Sequence, residues 1–295
     1  MLSEETSPPR GTNPMVSRAS SRGPRLQPSI RYHHEQQAHE AARLGSGRSA
    51  IEFQRQKELL TRFLPAVPAR VLDVGGGPGN YSLWLAKQGY EVHLLEPVTL
   101  HVEQAARRAT RQHVRLDSQV GDARRLPFPA RYADAVLLMG PLYHLTKRPD
   151  RLQALREALR VLRPGGVLFA VGISRFTSML DGSWQGFVRD PSFRRIILRD
   201  LSTGQHRNPS RIPEYFTTAF FSRPEDFREE VGAAGFSSVR LFAPEGFLWW
   251  VPALREYWRD PSLRSFLLTL SRKVEEEPSL LALGPHFMAV AQKKG

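Results

Sequence analysis

Hydrophobic positions along the chain fall into short apolar runs separated by stretches with helical spacing. Four of these runs span residues 71–74, 92–95, 133–139 and 167–171. Between them, apolar side chains recur every three or four positions, as in the series Leu152, Leu155, Leu159 and Leu162. A continuous apolar run is typical of a strand buried on both faces, and the intervening period is typical of helices. The alternation predicts an α/β fold with a doubly wound, mostly parallel sheet.

The first apolar run leads into a glycine-dense turn at residues 75–79 and then into an amphipathic stretch that begins at Tyr81. In this order of strand, tight loop and helix, glycines let a ligand approach the backbone, and the helix N-terminus faces polar groups. Glu96 closes the next apolar run, at the distance where a carboxylate can accept both hydroxyls of a ribose. The loop and the carboxylate together predict a nucleoside cofactor.

The spacing of the glycines indicates which cofactor this is. The dinucleotide pattern G-x-G-x-x-G, read from Gly75, needs a glycine at the position of Asn80. The pattern D-x-G-x-G-x-G instead matches Asp73, Gly75, Gly77 and Gly79. It resembles motif I of the class I S-adenosylmethionine-dependent methyltransferases, in which the glycine loop runs beside the methionine part of the cofactor. An NAD(P) oxidoreductase is the weaker alternative.

Later segments keep the order of that family. Residues 121–128 resemble the motif in which an aspartate, here Asp122, accepts the adenine amino group and the next backbone N–H, that of Ala123, meets the ring. Residues 133–139 are similar to the strand whose end faces the methyl group, and residues 286–291 to the last, antiparallel strand.

The resemblance implies a Rossmann-like methyltransferase fold: a seven-stranded, mostly parallel sheet with an antiparallel last strand and helical lid insertions. It implies S-adenosyl-L-methionine as cofactor, S-adenosyl-L-homocysteine as its product, and in-line transfer of a methyl group to O, N or C of a small organic acceptor. No metal is expected, because Asp134 precedes its strand and no Asp-Asn pair follows Met139. The predicted cofactor-binding residues are Asp73, Gly75, Gly76, Gly77, Gly79, Glu96, Pro97, Asp122, Ala123, Met139 and Gly140.

The chain divides into a tail and one domain. Residues 1–29 are rich in Pro, Ser, Gly and Arg and predict a disordered tail. Residues 30–295 are expected to form a single methyltransferase domain, in which helices over 30–64 pack across the cofactor mouth, as the resemblance implies. The segments 174–234 and 247–283 exceed what the sheet needs and are rich in aromatic residues. Single rings are expected to be ordinary core, but as a set they favour a mobile lid over a small acceptor.

A general base is needed only if the acceptor must lose a proton before it attacks. His144, with Tyr143 beside it, is the first catalytic candidate, because it follows the strand whose end faces the methyl group in the family. The alternative for His144 is a hydrogen bond that caps the loop. Arg55 is expected in a surface ion pair rather than at the cofactor carboxylate. The candidates for binding the acceptor are Tyr32, His206, Tyr215 and Phe216, and those for lying over the cofactor are His33 and His34.

Composition narrows the function further. The chain has 295 residues and a formal net charge of +13, which invites a nucleic-acid interpretation. The basic residues are scattered among acidic ones and no RNA-binding or zinc motif is present, so a solvated basic surface is favoured. The sequence has no apolar run of transmembrane length and no secretory signal, so no membrane span is expected and the cytoplasm is the expected location. Cysteine is absent, which excludes disulfides and thiolate catalysis.

The identity of the acceptor stays open at this point. A secondary metabolite or a quinone-like compound is favoured. One alternative is an RNA or protein methyltransferase that uses the basic surface, and another is a non-catalytic module in which the cofactor is a structural or allosteric ligand. The oligomeric state is also open, because an aromatic lid surface would equally suit a homodimer contact.

Overall fold

A computed structural model describes residues 48–295. The predicted tail, together with Tyr32, His33 and His34, lies outside the described residues. The strands are β1 (Arg70–Val74), β2 (Glu91–Glu96), β3 (Asp117–Val120), β4 (Ala133–Leu138), β5 (Leu162–Ser174), β6 (Gln205–His206), β7 (Ala219–Ser222), β8 (Ser237–Phe242) and β9 (His286–Gln292).

Helices connect most of these strands. They are α1 (Ser49–Phe63), α2 (Asn80–Lys87), α3 (Thr99–Arg111), α4 (Pro141–His144), α5 (Arg148–Val161), α6 (Thr177–Trp184), α7 (Pro191–Thr203), α8 (Pro224–Ala233), α9 (Leu254–Arg259) and α10 (Pro261–Val274). Among residues 48–295, no helix combines the length and the apolar character that crossing a bilayer requires.

The strands form one mixed sheet. Strands β3, β2, β1, β4 and β5 are parallel neighbours in that order, and β9 pairs antiparallel with both β5 and β8. The prediction of a mostly parallel, doubly wound sheet that ends in an antiparallel strand is therefore confirmed.

The antiparallel ribbon of β6 and β7 was not predicted. Strand β5 continues to Ser174, whereas its neighbour β4 ends at Leu138, opposite Ala170. Strand β7 pairs with Ile173 and Ser174 of β5 on the edge that β4 has left open, because β9 occupies the other edge. The ribbon thus stands beyond the carboxyl end of β4.

The sheet is buried on both faces, which explains the continuous apolar runs. Alternate residues point to opposite sides, so neighbours such as Val71 and Leu72 belong to different apolar clusters. One cluster joins the sheet to α5 and α8, and the other joins it to α1 and α2. Helix α1 is also held by a fully buried Arg55, which donates to Glu275 and to the carbonyl of Pro244. This ion pair is buried, not at the surface as expected from the sequence.

Candidate active site

The predicted cofactor residues meet at the carboxyl ends of β1, β2 and β4. The glycine loop between β1 and α2 is shaped by left-handed residues, and Gly79, at φ +79°, forms the N-terminal cap of α2. Gly76 is confined by its surroundings, because a Cβ there would lie 2.4 Å from Oδ2 of Asp73 and 2.6 Å from Cδ1 of Leu94. The loop therefore packs directly on Asp73 and Leu94, and no side chain fits between them.

Asp73 lies under this loop and is fully buried. The hydroxyl of Ser82 donates to its Oδ2 at 2.6 Å, while its Oδ1 has no hydrogen-bond partner among the described residues. Burial raises the pKa of Asp73 from its ordinary 3.8 to about 6; the hydrogen bond from Ser82 opposes this, and the charge of Glu96 adds to it. When ionised, Asp73 therefore places a negative charge beneath the glycine loop.

The raised pKa predicts how stability depends on pH. Below about pH 3.8 the carboxyl group is protonated in both states, and between 3.8 and about 6 the folded state binds more protons. The free energy of unfolding should therefore fall as the pH rises through this window, by about 3 kcal/mol in all. We expect Asp73→Asn, which keeps an acceptor for Ser82, to lack this loss. Urea unfolding of both proteins between about pH 4 and pH 7 tests this; parallel stability curves would contradict it.

Glu96, the last residue of β2, is held from two sides. Its Oε2 accepts the N–H of Gly77 and its Oε1 accepts the N–H of Val98, both at 3.0 Å. The ring of His101 approaches Oε1 at 3.5 Å. The carboxylate thus links the glycine loop to the turn after β2, which contains the half-buried Pro97. Each carboxylate oxygen has a second lone pair, so the group can still accept ribose hydroxyls.

Asp122 lies two residues beyond β3, next to this turn, since the N–H of Gly121 donates to the carbonyl of Glu96 at 3.2 Å. Its carboxylate accepts the backbone N–H of Arg124 at 2.9 Å and the side chain of Arg124 at 2.6–3.2 Å. Burial by itself would raise the pKa of Asp122, but the hydrogen bonds from Arg124 outweigh it and hold the pKa below its ordinary value. The carboxylate is ionised and fixed, and Ala123 beside it is buried.

The turn after β4 closes the floor of the site. Met139 is buried, and a Cβ at Gly140 would lie 3.1 Å from the carbonyl oxygen of Gly75. A Cβ at Gly75 would in turn lie 2.8 Å from Cδ of Pro141. The turns after β1 and β4 therefore touch each other, and α4 begins beside the glycine loop.

A row of rings extends from α4 to the β6–β7 ribbon. The ring centroids of Tyr143 and His144 are 4.8 Å apart, and that of Phe216 lies 6.1 Å from His144. Phe216 and Tyr143 also pack against the small apolar cluster that contains Ile173 of β5. The two catalytic candidates and one acceptor candidate are thus brought together beside the cofactor loop.

His206, another acceptor candidate, is buried and uses both ring nitrogens within the protein. Nδ1 lies 2.8 Å from Oδ2 of Asp200, and Nε2 lies 2.8 Å from the carbonyl oxygen of Tyr215. Because a carbonyl only accepts, Nε2 donates to it. The hydroxyl of Tyr215 donates to Asp190 at 2.9 Å, and its ring packs against Phe193. These contacts give His206 and Tyr215 a structural role. Binding of the acceptor by either residue stays a prediction.

The backbone at Phe216 is strained. Its φ of 63° and ψ of −175° lie in a region that is almost restricted to glycine. Two contacts hold it there: His206 binds the preceding carbonyl, and Nδ2 of Asn208 donates to the carbonyl of Phe216 at 2.7 Å. Strain that the surroundings impose in this way is common where a ring must be presented to a ligand.

This strain predicts an unusual order of stability. Phe216→Ala and Phe216→Gly both remove the ring, but only glycine relieves the backbone. We expect the glycine variant to be more stable than the alanine variant by about 1–2 kcal/mol in denaturant unfolding. At Phe220, in the regular strand β7, the same pair should show the opposite order. If the alanine variant were the more stable one at both positions, the backbone at Phe216 would not be strained.

One group at the same edge was missed in the sequence. His286, the first residue of β9, lies 2.8 Å from the fully buried Glu245. The sequence did contain a signal for it, because His286 begins the strand predicted to be antiparallel. The first residue of such a strand lies at the carboxyl ends of the parallel strands.

Comparison with known proteins identifies the family. Residues 71–166 match the family model described as a methyltransferase domain. The chain is 30% identical over 177 residues to the ubiquinone/menaquinone biosynthesis C-methyltransferase UbiE of Neisseria meningitidis. The matched region covers 58% of this chain and 67% of that protein.

Two solved structures share the fold. A SAM-dependent methyltransferase of Methanosarcina mazei superposes with a TM-score of 0.53 at 19% identity, over 80% of this chain and 97% of that one. A phosphoethanolamine N-methyltransferase of Haemonchus contortus, bound to phosphomonomethylethanolamine and S-adenosylhomocysteine, has a TM-score of 0.54 at 18% identity, over 90% of this chain and 60% of that one.

Proposed function

Because the chain belongs to the class I S-adenosylmethionine-dependent methyltransferases, we propose that it methylates a small aromatic acceptor of the hydroquinone type at a ring carbon. The observation that carries this is the row of rings, Tyr143, His144 and Phe216, beside the cofactor loop. The C-methyltransferase UbiE, which acts in quinone biosynthesis, supports the choice of acceptor and of carbon.

The residues of the site fit the cofactor. S-adenosylmethionine, when bound, supplies a methyl group on a positively charged sulfur. The glycines of the loop bring backbone without side chains against it, the buried Asp73 places negative charge beneath its positive end, and Glu96 and Asp122 offer carboxylate oxygens for the ribose and the adenine amino group. These assignments remain proposals that substitution can test.

The protein's part in the reaction is to orient the acceptor and exclude water. A flat ring packs well against other rings at offset or edge-on geometry, which holds the attacking atom in one direction. Such orientation supplies roughly 7–11 kcal/mol in favourable cases. The strained Phe216 would be one wall of the acceptor pocket and Tyr143 another.

The test is methyl transfer from labelled cofactor to a naphthohydroquinone that has an open ring carbon next to each hydroxyl. Mass spectrometry should find the label on a ring carbon, in a product that still oxidises to a quinone. The matched control has methyl groups on both of those carbons and should give no product. Methyl ethers from both compounds would refute carbon as the target. No product from either, with the cofactor bound, would refute the hydroquinone class.

A further inference from the structure

Three titratable side chains from separate elements meet at the carboxyl edge of the sheet. They are Glu52 of α1, Glu245 after β8, and His286 of β9, and one nitrogen or oxygen of each lies within 4.8 Å of the other two. Glu52 and Glu245 are buried, and His286 is half-buried. Isolated charges are costly inside a protein, so a cluster of this kind needs a reason.

The cluster borders the row of rings. His286 pairs directly with Ile173 of the neighbouring strand, and directly paired residues of antiparallel strands present their side chains on the same face. Ile173 belongs, with Ala219 and Phe221, to the apolar cluster against which Tyr143 and Phe216 pack. Met288, two residues along the same face, belongs to the apolar cluster that also contains Met139 and Tyr143. His286 therefore lies on the acceptor side of the site, across from the cofactor loop.

Glu245 and His286 are arranged as a carboxylate–imidazole pair. Nδ1 of His286 is 2.8 Å from Oε1 of Glu245, whose other oxygen, Oε2, is buried and has no hydrogen-bond partner within residues 48–295. When Nδ1 donates to the carboxylate, the lone pair of the neutral ring is on Nε2. A carboxylate in this position fixes the tautomer and stabilises the ring once it is protonated.

The charges around the pair favour proton uptake. Burial is the largest influence on Glu245 and raises its pKa; His286 lowers the pKa, and the charge of Glu52 raises it. Within residues 48–295, Arg55 of α1 lies close to this part of the chain: it donates to the carbonyl of Pro244 at 3.3 Å and pairs with Glu275 and Glu58. Two carboxylates thus lie within reach of one imidazole, and the cation Arg55 is already neutralised by Glu275.

We propose that His286 is the general base that accepts the proton of the acceptor hydroxyl, and that Glu245 is its positioning residue. This rests on the proposed function. The O–H bond breaks, its electron pair stays on oxygen and raises the electron density of the ring, and the proton forms a bond to Nε2 of His286. The ring carbon would then bond to the methyl group as the bond between that methyl group and the cofactor sulfur breaks. The same carbon next loses its hydrogen as a proton, which restores the aromatic ring, and the oxygen regains a proton from His286. One proton is released to solvent overall, so no oxidant or reductant is consumed.

A binding assay without methyl transfer tests the base. Para-nitrophenol changes its absorption when it loses its proton, whereas dinitrophenol is ionised in neutral solution and needs no base. We expect the wild-type protein to bind para-nitrophenol as the phenolate. His286→Gln should lose at least about tenfold in affinity for para-nitrophenol and less than about threefold for dinitrophenol. The affinity of Glu245→Gln for para-nitrophenol should lie between those of the wild type and His286→Gln. Glu256→Gln changes an exposed residue and should bind both phenols as the wild type does.

Several results would overturn the proposal. These are equal losses for both phenols, a bound para-nitrophenol that stays protonated in the wild type, or zinc that binds the three side chains and is required for phenol binding. Cofactor affinity measured by calorimetry should be unchanged in both variants, which shows that they fold.

The kinetic test uses an acceptor that the wild-type protein methylates. With it, His286→Gln should lower kcat by roughly 10²–10⁴-fold and leave KM nearly unchanged. Bound phenolate without methylation of any hydroquinone would refute the proposed acceptor but support the base.

Discussion

Replacing Gly76 by alanine should weaken binding of S-adenosylmethionine at least about 100-fold. The new Cβ would lie 2.4 Å from Oδ2 of Asp73, far closer than van der Waals contact allows. Asp73 cannot retreat, because it is fully buried and bound to Ser82. The glycine loop has to move instead, and the loss of about two backbone hydrogen bonds to the proposed ligand would cost roughly this much affinity. Isothermal calorimetry with the cofactor measures the loss directly.

The matched control is Gly232→Ala in α8. A Cβ at Gly232 would meet no atom within 4 Å, and the residue is helical, so alanine should stabilise the protein by about 0.5–1 kcal/mol without changing cofactor affinity. The two variants add the same methyl group and differ only in its surroundings. Cofactor affinity within about threefold of the wild type in Gly76→Ala would show that the loop does not hold the cofactor.

The sheet could be predicted because its signal is local. Each central strand is a continuous apolar run bounded by polar or glycine residues, and burial on both faces requires such a run. The end of β5 shows the limit of this reasoning. The apolar run suggested an end near Val171, but the strand continues to Ser174, where pairing with β7 and β9 supplies the hydrogen bonds.

The glycine loop could be predicted for a similar reason, since Asp73, the glycines and Glu96 lie in one short stretch of the chain, and its binding of the cofactor stays a prediction. The proposed acceptor side could not be predicted, because its contacts join residues far apart in the chain. Glu245 and His286 are 41 positions apart and meet only when β8 and β9 pair. The left-handed backbone of Phe216 depends on Asn208 and His206, and no local pattern indicates that a phenylalanine will be held there. Tertiary contacts decided these features, not propensity.

Replacing Glu96 by glutamine should weaken binding of both S-adenosylmethionine and adenosine by about 2–4 kcal/mol, or roughly 30- to 1000-fold. Glu96 uses both oxygens to accept the N–H groups of Gly77 and Val98, whereas an amide has one oxygen and would place its NH₂ group against one of these donors. The control is Glu91→Gln at the exposed start of the same strand. Loss of its ion pair with Arg70 should lower the free energy of unfolding by less than about 1 kcal/mol and leave the affinity for both ligands unchanged. Calorimetry with adenosine separates the effect from the methionine end of the cofactor. Equal affinities in the two variants would mean that Glu96 neither holds the loop in its binding geometry nor binds the ribose.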